Sequence, residues 1–135
     1  MTIGSIIGAR DHGFVFEVPD PALGAASAVP ITDIGLMPHE AVAVDARDSR
    51  VYLTEDNSPL SGFYRFTPND ASQQLGALER GGVLEMLAVA DRPGIDLGLA
   101  VQGESFDVQW VPVPDPARRA IRRGLSPIAI GLTLS

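Results

Sequence analysis

The chain has 135 residues, 45% of them hydrophobic and 20% charged, and carries a formal net charge of −7 at neutral pH. That length suits one globular domain burying about two-thirds of its surface on folding, and the acidic balance argues against wholesale binding to nucleic acid. With no cysteine in the sequence, disulfides, thiolate catalysis and zinc–thiolate sites are excluded.

Breakers are dense, with 11 prolines and 14 glycines, which favours short strands and turns over long helices. All 10 basic residues are arginine, a bias that reads as source-genome base composition and not as function. The first residues, MTIGSIIGARDHG, have no basic stretch and only a very short apolar run, so they do not read as a secretory signal. No apolar run approaches the roughly 20 residues that a membrane-spanning helix needs.

In chain order, residues 13–18 (GFVFEV) read as a strand ended by Pro19-Asp20-Pro21. Residues 20–28 form a small-residue loop, and 29–35 (VPITDIG) a weaker strand whose early Pro30 suits a sheet edge. The stretch HEAVAVDARDSRVYLTED, residues 39–56, reads as two strands and a tight turn. The run Ala41–Val44 suits a strand buried on both faces, and Val51-Tyr52-Leu53 is rich in β-formers. The intervening Asp45–Arg50 carries Asp/Ser turn chemistry. Residues 62–67 (GFYRFT) alternate as a strand, 71–80 read as a loop or short helical turn, and 83–89 (VLEMLAV) as the next strand. Glycine-rich, irregular chain from 90 to 105 leads to a last good strand at 106–113 (FDVQWVPV). Asp115-Pro116 then reads as an N-cap with proline at the first helical position, and Gly124 as the C-terminal stop. Arg118, Arg119, Arg122 and Arg123 lie between them and read as a solvated helix face; residues 127–134 (PIAIGLTL) suit one more apolar strand.

If the hairpin folds with Asp45 opposite Val51, Val42 meets Thr54 and Glu40 meets Asp56. Directly opposed Cβ atoms are about 4.5–5.5 Å apart, and like charges that close call for a cation or a shared proton. Glu40, Glu55 and Asp56 would then gather at one hairpin end beside His39, an oxygen set that suits calcium or another hard cation. The ordinary alternative is a solvated acidic rim. His39 reads more simply as a hydrogen-bonding residue at a strand start, His12 as a loop residue, and Arg65, which could clamp a phosphate bidentately, as a surface strand arginine or a partner for a nearby acid. Tyr52, Phe106 and Trp110 read as core residues. Ser49, Ser58 and Ser61 have no relay context, so a serine-hydrolase triad is rejected.

Four strands between about 39 and 89 make an up-and-down antiparallel unit of ~50 residues, the size of one β-propeller blade. The expected fold is therefore all-β: an antiparallel partial β-propeller, about one full four-stranded blade plus parts of its two neighbours. The strands at 13–18 and 29–35 would belong to the preceding blade and that at 106–113 would begin the next. An immunoglobulin-like sandwich fits the strand count nearly as well.

The run from DHGFVFEV, through MPHEAVAVDARDSRVYLTEDNSPLSGFYRFTPND, to GALERGGVLEMLAV resembles the PhoX-like alkaline phosphatases of bacteria over roughly residues 11–116. The resemblance implies a β-propeller, phosphomonoester hydrolysis, and iron together with calcium as cofactors. It implies a metal-ligand role for Glu40, with Glu55 and Asp56 holding calcium or supporting the site. Where the family often has an arginine shortly before that glutamate, this chain has Leu36-Met37-Pro38-His39. The family's upstream glutamate motif and downstream ligands are not found, and the chain from about Ile121 onward does not resemble the family. The expectation is a fragment with a propeller part at 1–116 and a divergent tail at 117–135, inactive alone, whereas full-length relatives are exported. A second expectation, from a different class, is a non-enzymatic β-domain that binds a partner or itself through open sheet edges.

Overall fold

A computed structural model describes residues 12–19, 29–57, 60–92 and 94–118. Among these residues, seven short strands and three single turns of 3-10 helix make an all-β architecture. Strands β1 (Val15–Phe16) and β2 (Pro30–Ile31) form a two-stranded antiparallel sheet, with Val15 opposite Ile31. Strands β3 (His39–Val44), β4 (Val51–Glu55), β5 (Phe63–Pro68), β6 (Gly82–Val89) and β7 (Val108–Pro112) form a five-stranded antiparallel meander in sequence order. Neither sheet closes on itself.

Alternation explains the meander. Along β4 and β5 every second residue is buried, so Val51, Leu53, Tyr64 and Phe66 share one face with Leu84 and Met86 of β6. This face packs against Ile31 of β2 and against Ile34 and Met37, which follow it. A side chain of that size contributes roughly 1.5–3 kcal/mol when fully buried, so this layer is the main source of stability. Three bonds fasten the covering segment. Met37 N donates to Gly13 O (3.2 Å), Leu36 N to Pro116 O (2.9 Å), and Gly82 N to the Asp33 carboxylate (3.1 Å). Gly13 sits at φ +116°, where a Cβ would lie 2.7 Å from the Met37 carbonyl oxygen, so the close approach needs glycine.

Four expectations change. The strand expected at 29–35 is cut to two residues, because Thr32–Ile34 turn into a 3-10 helix that buries Ile34 in the core. The strand at 106–113 does not start a separate blade: β7 pairs with β6 as a fifth strand, Trp110 opposite Leu87. The Ala41–Val44 run is not buried on both faces; β3 is an edge strand, and Val42 and Val44 are 60% and 62% exposed. The hairpin register also differs by one residue. Asp45 N donates to Arg50 O (2.8 Å), so the loop is four residues and Val44, not Asp45, lies opposite Val51. The shorter loop is possible because Ser49 takes the left-handed conformation (φ 60°) and its N–H returns to Asp45 O at 2.8 Å.

The helix expected from Asp115 onward is described only as far as Arg118, and the strand at 127–134 lies outside the described residues, as do residues 20–28. At its start, Asp115 has φ 52° and its carbonyl accepts from Arg118 N (3.1 Å), a turn geometry unlike an N-cap.

Candidate functional site

The end of the β3–β4 hairpin is the place to which the sequence assigns chemistry. A β-bulge sits there: Ala41 faces Thr54, but His39 faces Glu55, so Glu40 is the extra residue. Bulges re-aim side chains and recur beside active sites. Glu40 is exposed on this kink. Asp56 is also exposed, and its N–H donates to Pro38 O (2.8 Å). The predicted direct opposition of Glu40 and Asp56 is therefore corrected. The four-residue turn and the bulge together put Pro38, not Glu40, beside Asp56.

Glu55 behaves differently from its two acidic neighbours. It is 4% exposed and built into the hairpin. Its Oε2 accepts from Gly62 N and from the Tyr64 hydroxyl, both at 3.1 Å, and its Oε1 from Asn57 Nδ2 at 3.2 Å. Tyr64 is fully buried. Alternation along β4 dictates this: Glu55 shares the inward face with Val51 and Leu53, so its carboxyl must find donors or lose them at a cost.

His39 lies across from Glu55 and is half-buried. Its Nε2 is 3.3 Å from Gly35 O, which makes Nε2 the protonated nitrogen of the neutral ring. Nδ1 is buried without a hydrogen-bond partner. Burial lowers the His39 pKa below its ordinary value, against the opposing pull of the Gly35 and Gly13 backbone and the Glu55 carboxylate.

The opposite face of the sheet carries a feature that sequence reasoning placed in the core. Tyr52 and Trp110 are half-buried on the face away from the core, together with Phe63. Tyr52 stacks on Phe63 with centroids 6.1 Å apart, and Trp110 lies 5.9 Å from Phe63 and 6.2 Å from Tyr52. Arg65 lies 4.4 Å from the Trp110 ring centroid and is bonded to Glu85 Oε2 through Nε (3.0 Å) and an Nη (2.6 Å). Arg65 thus has an acid for a partner, as its ordinary reading held. The period-2 alternation already separates Tyr52 from Val51 and Leu53, and that signal could have assigned it to this second face. Phe106, also half-buried, sits under Arg92 at 4.9 Å.

Elsewhere, a cleft of about 300 Å³ lies between the hairpin turn and the 70–78 loop, lined by Glu17, Val44, Ser49, Asp70, Gln73 and Leu78 among others. It contains none of Glu40, Glu55 or Asp56. Ser49 Oγ donates to Ala71 O (3.1 Å), a structural bond, in keeping with the rejection of a triad. His12 lies in the loop before β1. No helix among the described residues is long and apolar enough to cross a membrane.

Among the described residues, no three histidine, cysteine, aspartate or glutamate side chains are grouped so as to hold a metal ion. Glu40 and Asp56 by themselves do not fill a shell, since calcium takes about 6–8 oxygens. The residues described thus do not make a complete metal site.

Comparison with protein families gives a match over residues 4–131 to the family described as "Alkaline phosphatase PhoX". The matched stretch is longer than the resemblance at 11–116 and includes most of the segment set apart as a tail. Neither the curated proteins nor the solved structures gave a match.

Proposed function

Because the chain belongs to the alkaline phosphatase PhoX family, we propose that it contributes part of a metal-dependent phosphomonoesterase. In this reading its five-stranded sheet is one elaborated blade of a β-propeller. The β3–β4 end faces the site. Glu40 and Asp56 are the metal-facing carboxylates, and Glu55 takes the supporting role that its inward position and three donors suit. The substrate class is a phosphomonoester, and the proposed ions are calcium and iron. When bound, such ions neutralise phosphoryl charge and activate an oxygen nucleophile.

The observation that carries the reading is the family match over nearly the whole chain. The bulge at Glu40 supports it, because it turns an exposed carboxylate out of the ladder at the hairpin end. This chain's own residues are assigned placement only: the bulge presents Glu40, the Pro38–Asp56 bond fixes the chain beside it, and Glu55 ties β4 to β5 behind them. No hydrolytic step is assigned to them.

Calcium titration of the full chain by calorimetry tests the proposal. Weak binding is expected, diminished in Glu40→Gln and again in Asp56→Asn. Binding unchanged in both variants would remove the hairpin end from the metal site.

A second reading is a β-domain that associates through open sheet edges. One observation favours it: the exposure of Val42 and Val44 on edge strand β3.

A further inference from the structure

The cleft of about 300 Å³ between the β3–β4 turn and the 70–78 loop takes no part in the proposed metal end. It opens beside Val44 and Ala46, whereas Glu40 lies near the start of β3, roughly 14 Å away along the strand. Its volume is at the lower end of the range for small-molecule sites, about 300–1,000 Å³. Two cross-links hold its walls together. Ser49 Oγ donates to Ala71 O (3.1 Å), and Gln73 Nε2 donates to Ala46 O (2.6 Å). Ser49 and Gln73 both take the left-handed conformation, at φ 60° and 59°, which non-glycine residues adopt rarely. The cleft is therefore pre-formed by specific local structure.

The lining has a definite chemistry. Val44, Ala77 and Leu78 supply apolar wall, and among the described residues no arginine or histidine lines the cleft. Of its two carboxylates, Asp70 is already engaged: it accepts from Ser72 N (2.9 Å) and pairs with Arg80. Glu17 is half-buried and accepts one bond, from Gly76 N at 2.7 Å; among the described residues it has no ion pair. The arginines of the nearby turn, Arg47 and Arg50, are bonded to Asp45 and Asp48. A ligand that fills the cleft takes water from the Glu17 carboxylate, which costs free energy unless a positive group replaces that water.

We propose that this cleft binds a small organic monocation, a primary ammonium on a short hydrocarbon body. The ammonium bonds to Glu17, and the hydrocarbon lies against Val44, Ala77 and Leu78. An ammonium brings three donors. Glu17 accepts from it, and the side-chain oxygen of Gln73 is a further acceptor, because the bond to Ala46 uses only the Nε2 of that amide. Glu17 repels an anion, and a neutral molecule leaves its charge uncompensated, so charge complementarity selects the class of ligand. The chain has no lysine, so no side chain of its own carries an ammonium.

The test uses the full chain, labelled for amide NMR, with n-pentylammonium as the probe. At constant ionic strength, 1-pentanol and pentanoate serve as controls of similar shape. The Gly76 backbone amide and the Gln73 side-chain amide report directly, because the first bonds to Glu17 and the second spans the cleft. Pentylammonium is expected to shift both resonances saturably. It should bind at least about tenfold more tightly than pentanol, as a charge-assisted bond in place of a neutral one implies. Pentanoate should shift neither. Glu17→Gln keeps an acceptor for the Gly76 N–H and so keeps the cleft; it should weaken pentylammonium about tenfold and leave pentanol unchanged. Ala46→Phe, at an exposed position on the cleft wall, should block both ligands. No saturable shift with pentylammonium overturns the site. Equal affinity for pentanol, or pentylammonium binding unchanged in Glu17→Gln, overturns the assignment to a cation.

Discussion

Replacing Glu55 by alanine separates a structural carboxyl from a metal ligand. The side chain is 4% exposed, and one of its oxygens serves two buried donors, Gly62 N–H and the Tyr64 hydroxyl. Each buried donor left without an acceptor costs about 1–3 kcal/mol. Water can enter the space alanine leaves, so the lower half of the summed range applies, about 2–4 kcal/mol. Against a typical total of about 5–15 kcal/mol this is a large fraction. Glu55→Gln keeps an acceptor at the same position and is expected to cost no more than about 1 kcal/mol. Tyr64→Phe removes one of the two donors, so in that background Glu55→Ala should cost about 1 kcal/mol less than it does alone. Urea unfolding followed by the fluorescence of Trp110, the chain's single tryptophan, reads the natural chain and all four variants, Glu55→Ala, Glu55→Gln, Tyr64→Phe and the double variant. With a slope of about 2 kcal/mol per molar urea, the alanine variant should lose about 1–2 M of midpoint. A midpoint within error of the natural chain, or strict additivity with Tyr64→Phe, would refute the structural role. It would return Glu55 to the metal-ligand assignment.

Other substitutions test the neighbouring elements. His39 has a lowered pKa in the folded chain, so the unfolded chain takes up a proton first. Stability present above about pH 6.5 should therefore fall as pH drops from there toward the lowered folded value, and the slope should flatten in His39→Gln. Gly82→Ala would drive a Cβ into the Thr67 carbonyl oxygen and the Phe66 ring; a loss of about 1–3 kcal/mol in thermal or urea unfolding is expected. Arg65→Ala should cost about 1–2 kcal/mol and change the Trp110 emission, because the guanidinium lies over that ring while bonded to Glu85.

Much of the fold was legible because strand alternation and turn residues are local signals. The four strands from β3 to β6 and the breaks between them follow from valine, tyrosine and phenylalanine runs set between Asp/Ser and Pro/Asn clusters. What was not legible depends on tertiary context. The Val-Ala-Val run of β3 has the composition of a buried strand, and only the sheet order makes it an edge. The hairpin register turned on Ser49 taking a left-handed conformation, which a serine does not announce, and on a bulge at Glu40. Those two features decide which acids meet. They separate Glu40 from Asp56 and turn Glu55 inward to Tyr64, so the acidic cluster visible in the sequence resolves into two exposed carboxylates and one structural one.

Hydrolysis of p-nitrophenyl phosphate by the purified full chain, with calcium and iron added, bears most directly on the claim that these residues supply part of a phosphatase site and not the whole. Turnover indistinguishable from metal-only controls is the expected result of that proposal, since Glu40 and Asp56 by themselves do not fill the shell of about 6–8 oxygens that calcium takes. Multiple turnover that requires the ions and is lost in Glu40→Gln would contradict the account.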